Sequence, residues 1–326
     1  MRAILCNDWG EPDTLVLGEA PSPVAGPGEV TLRVRAAGVN FADIVLVRGQ
    51  YQEKPDLPFS PGLECAGEIL TVGEGVSNVA VGDRVMVVPG VGAFAEEVST
   101  KASDVFAIPE GMDFDTAAAF PVAYGTSHLA LTDRGALKAG ETLLVLGAGG
   151  GVGLTAVECG KALGATVIAA ASTSEKLDLA QAHGADHVIN YVDEDLRAAV
   201  RKLTDGAGVD VVYDPVGGDL SKAALRSMAW SGRLLVIGFA AGEVPQIAAN
   251  YLLVKNISVV GVYWGAYKTK EPETYRASFD ELAKWYSEGR LKPHVSQVFP
   301  LAQAAEALGV LESRQATGRL VVDIDA

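Results

Sequence analysis

The sequence predicts an α/β protein of two domains, one rich in short strands and one containing a doubly wound parallel sheet. Its 326 residues suggest about two domains at roughly 150 residues each. Up to about residue 120, short apolar runs alternate with turns. Beyond Ala117, apolar strands alternate with helical stretches, which is the pattern of consecutive β-α-β units.

The first region has the pattern of strands and turns that is typical of a compact β-barrel or β-sandwich. Residues 30–36, 67–72 and 84–88 are short apolar or alternating runs. Glycine turns separate them, at Gly73-Glu74-Gly75 and at Gly82-Asp83. Short strands between such turns are typical of an all-β architecture.

The second region contains apolar segments that predict buried parallel strands with helices between them. The strands are residues 142–147, 166–171, 209–214, 233–238 and 257–263, and the helices are residues 151–163, 174–183 and 219–229. After Pro272 the sequence predicts a long helix to about Gly289, a short strand near Val295, a helix from Leu301 and a final strand over 319–324.

Composition and charge exclude several classes of function. The chain has 26 basic and 41 acidic residues, a formal net charge of −15, and such a chain repels nucleic-acid phosphates and anionic membranes. The N-terminus becomes polar too early for a signal peptide, and no apolar run approaches the ~18 residues of a membrane span. Cys6, Cys65 and Cys159 are odd in number and widely spaced, which argues against a disulfide framework. We expect a cytoplasmic protein with neither a nucleic-acid nor a membrane partner.

A glycine-rich segment follows the first strand of the second region. Residues 142–146 run into Gly147-Ala148-Gly149-Gly150-Gly151-Val152-Gly153, and a helix-compatible stretch follows. Glycines let the backbone approach a pyrophosphate, and the helix N-terminus offers free N–H groups. A tight turn without a ligand is the alternative. The lack of a Gly-Lys-Ser/Thr sequence argues against a nucleoside triphosphate loop.

The end of the next strand favours NADP(H) over NAD. NAD-binding proteins place an acid there for the ribose hydroxyls, whereas this strand ends in Ala171-Ser172-Thr173 without one. Lys176 follows in the next helix, and hydroxyls and a lysine suit a 2′-phosphate. The alternative for Lys176 is an exposed helix charge.

Five motifs occur in an order typical of one family. They are Asn40-Phe41-Ala42-Asp43, Pro61-Gly62-Leu63-Glu64, Gly82-Asp83-Arg84-Val85, the glycine loop and Ala316-Thr317-Gly318-Arg319. On these motifs the chain resembles, over essentially its whole length, the zinc-free quinone oxidoreductases of the medium-chain dehydrogenase/reductase superfamily, the zeta-crystallin-like group.

The resemblance implies a GroES-like β-rich catalytic domain, residues 1–121 and 267–326, and a Rossmann NADPH-binding domain, residues 122–266, with the active site in the cleft. It also implies a homodimer paired through the strand at 257–263. Zinc-bearing relatives have cysteine and histidine where this chain has Asn40 and Leu63, and residues 89–100 lack the cysteines of a structural zinc site. We therefore expect no resident metal.

The resemblance also implies the site residues, with Asn40, Tyr51 and Thr126 as catalytic candidates. The implied cofactor contacts are Asn40 near the nicotinamide and Thr126 facing the cofactor; Gly150, Gly151, Val152 and Gly153 at the pyrophosphate; Ser172, Thr173 and Lys176 at the 2′-phosphate, with Tyr191 over that phosphate or the adenine; Val216 in a loop beside the cofactor; the backbones of Ile237, Gly238, Phe239, Ala240, Gly261, Val262 and Tyr263 at the nicotinamide carboxamide; and Arg314 from the C-terminal helix.

Several of these residues have a structural alternative. Asn40 is equally a turn residue between a strand and a helix, and Thr126 a helix N-cap. Tyr191 is equally a buried aromatic at a strand end. Arg314 has the alternative of a solvated helix-end charge, and Tyr51 that of a pocket wall.

The resemblance implies an NADPH-dependent quinone oxidoreductase that acts on a quinone or a similar enone. Without a metal, hydroxyls, N–H groups or water must stabilise the negative oxygen, and Asn40, Tyr51 and Thr126 are the candidates. An enoyl-thioester or 2-alkenal reductase, with Tyr51 assisting protonation, is the near alternative. A non-catalytic NADPH-binding protein is the alternative from another class. Val45, Phe239, Tyr263 and Trp264 are candidates for an apolar acceptor pocket.

Overall fold

The chain folds into two compact units. The computed structural model describes all residues from 1 to 326. One unit comprises Met1–Val122 with Pro293–Ala326, and the other comprises Ala123–Lys292. The first unit therefore contains both ends of the chain, and the second is one continuous stretch between its two parts.

The chain forms fifteen strands and eleven α-helices. The strands are β1 (Arg2–Leu5), β2 (Val16–Glu19), β3 (Glu29–Val39), β4 (Glu64–Val72), β5 (Arg84–Val87), β6 (Glu97–Lys101), β7 (Val105–Ala107), β8 (Thr142–Leu146), β9 (Thr166–Ala171), β10 (His187–Asn190), β11 (Val209–Asp214), β12 (Met228–Val236), β13 (Ser258–Gly261), β14 (Val295–Pro300) and β15 (Arg319–Asp323). The helices are α1 (Phe41–Val47), α2 (Phe114–Ala118), α3 (Pro121–Leu129), α4 (Gly151–Ala162), α5 (Ser174–Ala182), α6 (Leu196–Leu203), α7 (Gly218–Arg226), α8 (Ala249–Lys255), α9 (Tyr267–Lys270), α10 (Pro272–Ser287) and α11 (Ala304–Glu312).

The first unit is organised around β3, its longest strand. The seven-stranded sheet has the order β14-β15-β3-β4-β5-β7, and β6 also pairs with β3. The C-terminal strand β15 lies antiparallel to β3, with Leu320 opposite Val39. One apolar core beneath this sheet contains residues from both chain ends, including Leu32, Val34 and Val322. The two ends of the chain thus build one sheet.

The second unit contains a six-stranded parallel sheet with the order β10-β9-β8-β11-β12-β13. From the central strand β8 the chain adds β9 and β10 on one side and β11, β12 and β13 on the other. This is the doubly wound arrangement that the sequence predicts. The side chains of β8 from Leu143 to Leu146 are fully buried, as expected for a strand covered on both faces. Ligands in such folds bind where the winding reverses, at the carboxyl ends of β8 and its neighbours.

The boundary between the units lies further along the chain than the sequence indicates. The resemblance implies a return to the first domain at residue 267, whereas the second unit extends to Lys292. The reason is the buried face of α9 and α10. The Tyr267 hydroxyl bonds the Asp133 carboxylate, Tyr275 packs against Trp264 with ring centroids 5.4 Å apart, and Ser278 Oγ lies 2.9 Å from His128 Nδ1.

One buried carboxylate links four parts of the second unit. Glu158, on α4, accepts hydrogen bonds from the Tyr124 hydroxyl at 2.6 Å and from the Lys292 backbone N–H at 3.0 Å. Its other oxygen pairs with His183 Nδ1 at the end of α5. Tyr124 and Lys292 lie close to the two ends of this stretch of chain, so Glu158 holds both ends to α4.

Candidate active site

The glycine loop connects β8 to α4 in a tight turn. Gly147 has a positive φ of 61°, and α4 begins at Gly151 with Gly150 as its N-cap. A Cβ at Gly153 would lie 2.1 Å from the carbonyl oxygen of Gly147. The loop therefore packs directly on the first turn of the helix, which only glycine at position 153 permits.

Gly150 has no structural reason to be glycine. Its φ of −88° and ψ of 171° suit any residue, and a Cβ there would meet only the Gly147 oxygen, at 3.5 Å. The space beside it adjoins the first-turn N–H groups of α4, at Gly151, Val152 and Gly153, which have no acceptor within the helix. An open cradle of N–H donors fits a dinucleotide pyrophosphate.

The end of β9 places hydroxyls and a lysine beside this loop. Thr173 caps α5, its hydroxyl accepting from the Lys176 N–H at 3.4 Å, and Ser172 is half-buried just before it. A Cβ at Gly149 would lie 2.5 Å from Lys176 Cβ, so the lysine stem packs on the glycine loop. The first acid after β9 is the exposed Glu175. These residues fit a phosphorylated ribose, and Tyr191 lies nearby, its N–H donating to the Ala171 carbonyl at 3.2 Å.

Asp214 shapes the turn after β11, a role that sequence reasoning missed. Its buried carboxylate accepts from the N–H groups of Val216 at 2.9 Å and Gly217 at 3.0 Å, and from the Ser221 hydroxyl. Val216 is thereby held against the glycine loop, where a Cβ at Gly147 would lie 3.1 Å from it. The signal in the sequence is an acid at a strand end before Pro215 and two glycines.

The ends of β12 and β13 offer backbone groups at the same edge of the sheet. Several of these N–H groups already donate to backbone carbonyls within the protein. The N–H groups of Ile237 and Gly238 donate to the Asp214 carbonyl, that of Ala240 to the Pro215 carbonyl, and that of Val262 to the Val236 carbonyl. The Phe239 N–H makes no hydrogen bond within the protein. A Cβ at Gly261 would meet nothing within 4 Å. Phe239 and Tyr263 are partly exposed, whereas Trp264 is buried against Tyr275 and Phe279 and belongs to the core.

In the first unit, Asn40 lies in a buried polar cluster. It caps α1, and its N–H donates to the Asp43 carboxylate at 2.8 Å. Its side-chain nitrogen donates to Glu64 Oε1 at 2.9 Å and to the Gly38 carbonyl at 3.4 Å. Glu64 also pairs with the buried guanidinium of Arg319 and accepts from the Val122 N–H at 2.7 Å.

This geometry changes the expected role of Asn40. Because a carboxylate only accepts hydrogen bonds, the amide nitrogen must face Glu64, and both of its hydrogens have acceptors. The remaining Oδ1 can accept but cannot donate. In this arrangement the Asn40 side chain has no N–H left to donate to a negative oxygen, and its Oδ1 offers only a hydrogen-bond acceptor.

Burial dominates the titration of the two acids in this cluster. Loss of solvation raises the pKa of Asp43 to about 8, with Glu64 adding to the shift and the Asn40 N–H opposing it. Burial likewise raises the pKa of Glu64, against the opposing effect of Arg319. Asp43 is therefore largely protonated at neutral pH.

The remaining predicted residues lie on separate elements. Tyr51 follows α1, half-buried against the core of the first unit. Arg314, exposed with a φ of 59°, follows α11. Thr126 is buried within α3 and is not its N-cap. The preceding Gly125 lies against the Trp264 ring, which a Cβ would approach to 2.6 Å.

The donor set does not fit a zinc site. At the two positions where the resemblance implies zinc ligands in zinc-bearing relatives, this chain has Leu63, which is apolar and buried, and Asn40. The nearby acids Asp43 and Glu64 bond Asn40 and Arg319. No group of three or more His, Cys, Asp or Glu side chains is arranged to hold a metal ion.

No helix of the structure has the length and apolar character that crossing a membrane requires.

Comparisons with known proteins agree with this architecture. Residues 26–110 match the alcohol dehydrogenase GroES-like domain, and residues 151–284 match the zinc-binding dehydrogenase domain. Quinone oxidoreductase-like protein 2 of Bos taurus is 42% identical over 325 residues, which span 99% of this chain and 92% of that protein.

Two solved structures are similar over the whole chain. Escherichia coli quinone oxidoreductase complexed with NADPH aligns with a TM-score of 0.92 and 31% identity, covering 99% of this chain and 100% of that one. A mycobacterial protein complexed with NADPH aligns with a TM-score of 0.93 and 33% identity, with the same coverage. The predicted GroES-like and Rossmann folds are confirmed. The chain belongs to the quinone oxidoreductase, zeta-crystallin-like group of the medium-chain dehydrogenase/reductase superfamily.

Proposed function

We propose that this protein is an oxidoreductase that uses NADPH to reduce a quinone or a similar conjugated carbonyl compound without a metal ion. The observation that carries the proposal is the open glycine cradle at α4, with Thr173 and Lys176 beside it and no acid at the end of β9. The similarity to quinone oxidoreductase-like protein 2 and to the solved Escherichia coli quinone oxidoreductase supports the proposal. Two of the similar solved structures are NADPH complexes.

The proposed cofactor contacts follow the edge of the parallel sheet. The first-turn N–H groups of α4 would bind the pyrophosphate, and Ser172, Thr173 and Lys176 the 2′-phosphate, with Tyr191 beside them. The unpaired Phe239 N–H would bind the carboxamide oxygen. When bound, NADPH supplies the hydride that reduces the acceptor.

The chain's own residues would orient the acceptor and stabilise its negative oxygen. Tyr51 and Thr126 are the proposed hydroxyl donors, and Asn40 would orient a donor group through its Oδ1. A reduced quinone can take its protons from water, so no obligatory acid is assigned. An enoyl acceptor needs a proton on carbon, and there Tyr51 would supply it.

The test is the oxidation of NADPH, followed at 340 nm, with 1,4-benzoquinone, 9,10-phenanthrenequinone or crotonyl-CoA as acceptor and NADH as the control donor. We expect turnover with the quinones and NADPH. Turnover with crotonyl-CoA alone would assign an enoyl reductase and make Tyr51→Phe the next variant. Binding of NADPH without any turnover would favour a non-catalytic binding protein.

Lys176 tests the choice of cofactor. Lys176→Ala removes a charge-assisted contact worth about 1.5–3 kcal/mol, so the Kd for NADPH should rise by roughly 10- to 100-fold. The affinity for NADH should hardly change, because NADH lacks the 2′-phosphate. Fluorescence titration with both cofactors measures this ratio, and equal losses for the two would contradict the assignment.

We infer a homodimer that pairs through β13. This strand is at the edge of the six-stranded sheet, bonded only to β12, so one row of its backbone groups remains without a partner in the sheet. Pairing with the same strand of a second copy would satisfy them.

We also infer a cytoplasmic location. Cys6, Cys65 and Cys159 are all free thiols and all buried, a pattern suited to a reducing compartment. Cell fractionation with an antibody to the chain tests this location.

A further inference from the structure

A groove lined by basic side chains lies at the amino-terminal edge of the parallel sheet, the edge opposite the glycine loop. Arg197, Arg201, Arg226 and Lys255 line it, together with the start of β12. We call these four residues and the space between them the cationic groove. Two cavities of about 430 and 330 Å³ adjoin there, both walled by Arg197, Arg226 and Lys255.

None of the four basic groups forms an ion pair with a carboxylate. Arg226 donates to the Tyr251 hydroxyl at 3.0 Å, and its guanidinium lies 5.3 Å from the centre of that ring. Lys255 Nζ donates to the carbonyls of Arg226 at 3.0 Å and Met228 at 2.8 Å. These partners are neutral, so they hold Arg226 and Lys255 in position without supplying a negative countercharge.

The four charges also repel one another. Arg197 and Arg201 lie one turn apart on the same face of α6, a spacing at which like charges disfavour a helix. Burial, and then the charges of these two arginines, lower the pKa of Lys255. A protein with a formal charge of −15 has thus gathered four cations in one place.

Helix dipoles account for only part of this arrangement. Arg201, Arg226 and Lys255 lie in the last turns of α6, α7 and α8, where each helix end carries roughly half a negative charge. Three such ends compensate less than half of four unit charges. Arg197 lies in the first turn of α6, where a cation is disfavoured, so its position needs another reason.

We propose that the cationic groove binds a compact polyanion of the polyphosphate class, either inorganic or as the phosphate tail of a nucleotide. Arginine and lysine are the side chains that bind phosphate oxygens, and the cavities have the size of small-molecule sites. Trp230 lines the second cavity with 72% of its surface exposed, and it offers an aromatic face to a base. This site is separate from the glycine loop and does not depend on the proposed reaction.

Calorimetric titration of the full chain with sodium tripolyphosphate and with ATP tests the proposal. The test variant is Arg197→Ala/Arg201→Ala. The control is Lys202→Ala, which removes one positive charge from the neighbouring exposed position on α6 outside the groove. Each titration is repeated with NADPH in excess, which blocks ATP from the glycine loop.

We expect binding in the wild type and in the control, weakened at least about tenfold in the double variant because two charge-assisted contacts are lost. The thermal midpoint of the double variant should change little, since relief of the like-charge repulsion offsets the lost interaction of Arg201 with the C-terminal end of α6. Tripolyphosphate binding as tightly as ATP would identify an inorganic ligand. Tighter ATP binding that weakens in Trp230→Ala would identify a nucleotide. No binding of either compound, or equal binding in the double variant, would overturn the proposal.

Discussion

Asp43 has its carboxyl entirely out of solvent, and burial raises its pKa to about 8. In the unfolded chain the pKa is near 3.9, so the native state binds the proton more tightly. The stability from this group is therefore complete below about pH 4 and is lost as the pH rises to about 8, at roughly 1.4 kcal/mol per pH unit.

The variant Asp43→Asn should remove this dependence. Asparagine keeps an oxygen that accepts from the Asn40 N–H and carries no titrating proton. Urea unfolding between pH 5 and 8 should show the wild type losing stability relative to the variant as the pH rises. Asp56→Asn, at an exposed carboxylate, is the control. Parallel curves for Asp43→Asn and the wild type would show that Asp43 does not titrate in this range.

Glu64 and Arg319 form a buried pair whose energetics depend on which partner is removed. Glu64→Gln leaves the Arg319 charge buried without its counterion, and we expect a loss of about 3–5 kcal/mol in the free energy of unfolding. Glu64→Gln/Arg319→Met removes both charges and should recover much of this loss. A double-mutant cycle from urea unfolding measures the coupling, and a double variant as unstable as the sum of both single variants would contradict it.

At this scale the sequence identifies residues better than it identifies their roles. The motif identifies Asn40, but the direction of its amide is set by Glu64, which belongs to another motif. The position of the Glu64 carboxylate is set in turn by its pairing with Arg319, 255 residues further along the chain. No local pattern contains that information. Asp214 was missed because a strand-end acid is common and only the folded turn shows what it binds.

Among the elements, buried strands are predicted best. β9 and β11 begin and end at the predicted residues, because continuous burial makes each an uninterrupted apolar run. β12 begins five residues earlier than expected, at Met228. Its first part includes the exposed Trp230 and Ser231, the latter with a φ of 62°, so it lacks an apolar pattern and pairs only through the backbone.

The glycine loop predicts a contrast between two alanine substitutions. Gly153→Ala would place a Cβ 2.1 Å from the Gly147 oxygen, so the loop must shift, at a cost of about 1–3 kcal/mol in stability. Gly150→Ala meets nothing closer than 3.5 Å and should fold normally. It should still weaken NADPH binding, because its methyl group projects into the proposed pyrophosphate site.

Thermal unfolding and NADPH titration of both variants separate the two effects. We expect Gly153→Ala to lower the thermal midpoint and the affinity together. Gly150→Ala should lower only the affinity, by about tenfold, or roughly 1.4 kcal/mol. Gly242→Ala is unsuitable as a control because its φ is 81°. Gly309→Ala, in α11 with nothing within 4 Å of its Cβ, is suitable. Full NADPH affinity in Gly150→Ala would remove this loop from the site.

At the scale of the whole molecule, the change of pattern near Ala117 indicates the first crossing between the two units, and no such change marks the second. The resemblance indicates residue 267, and the contacts place the second crossing at residue 293. The apolar face of α10 buries Tyr275, Phe279 and Leu282. Its partner is decided by individual side chains: Tyr275 packs on Trp264, and Ser278 lies against His128, 150 residues earlier in the chain.

The proposed dimer predicts a change in mass. The wild type should sediment at twice 33.9 kDa. Val260→Lys adds a charge to the half-buried middle of β13 and should shift the protein toward the monomer. Val192→Lys, at an exposed turn after β10 on the other side of the sheet, is the matched control. A wild type that sediments as a monomer at all concentrations, or a Val260→Lys variant that stays dimeric, would contradict pairing through β13.

The hydrogen bonds of Glu158 bring the two ends of the second unit close together. The Glu158 carboxylate bonds Tyr124 and Lys292, so the stretch that begins at Ala123 leaves the second unit beside the place where it enters. A segment whose ends are neighbours can be accommodated in a host chain as a single surface loop would be. The second unit therefore meets the geometric condition for a domain inserted into a host chain, and Glu158, one of its own side chains, holds its two ends together.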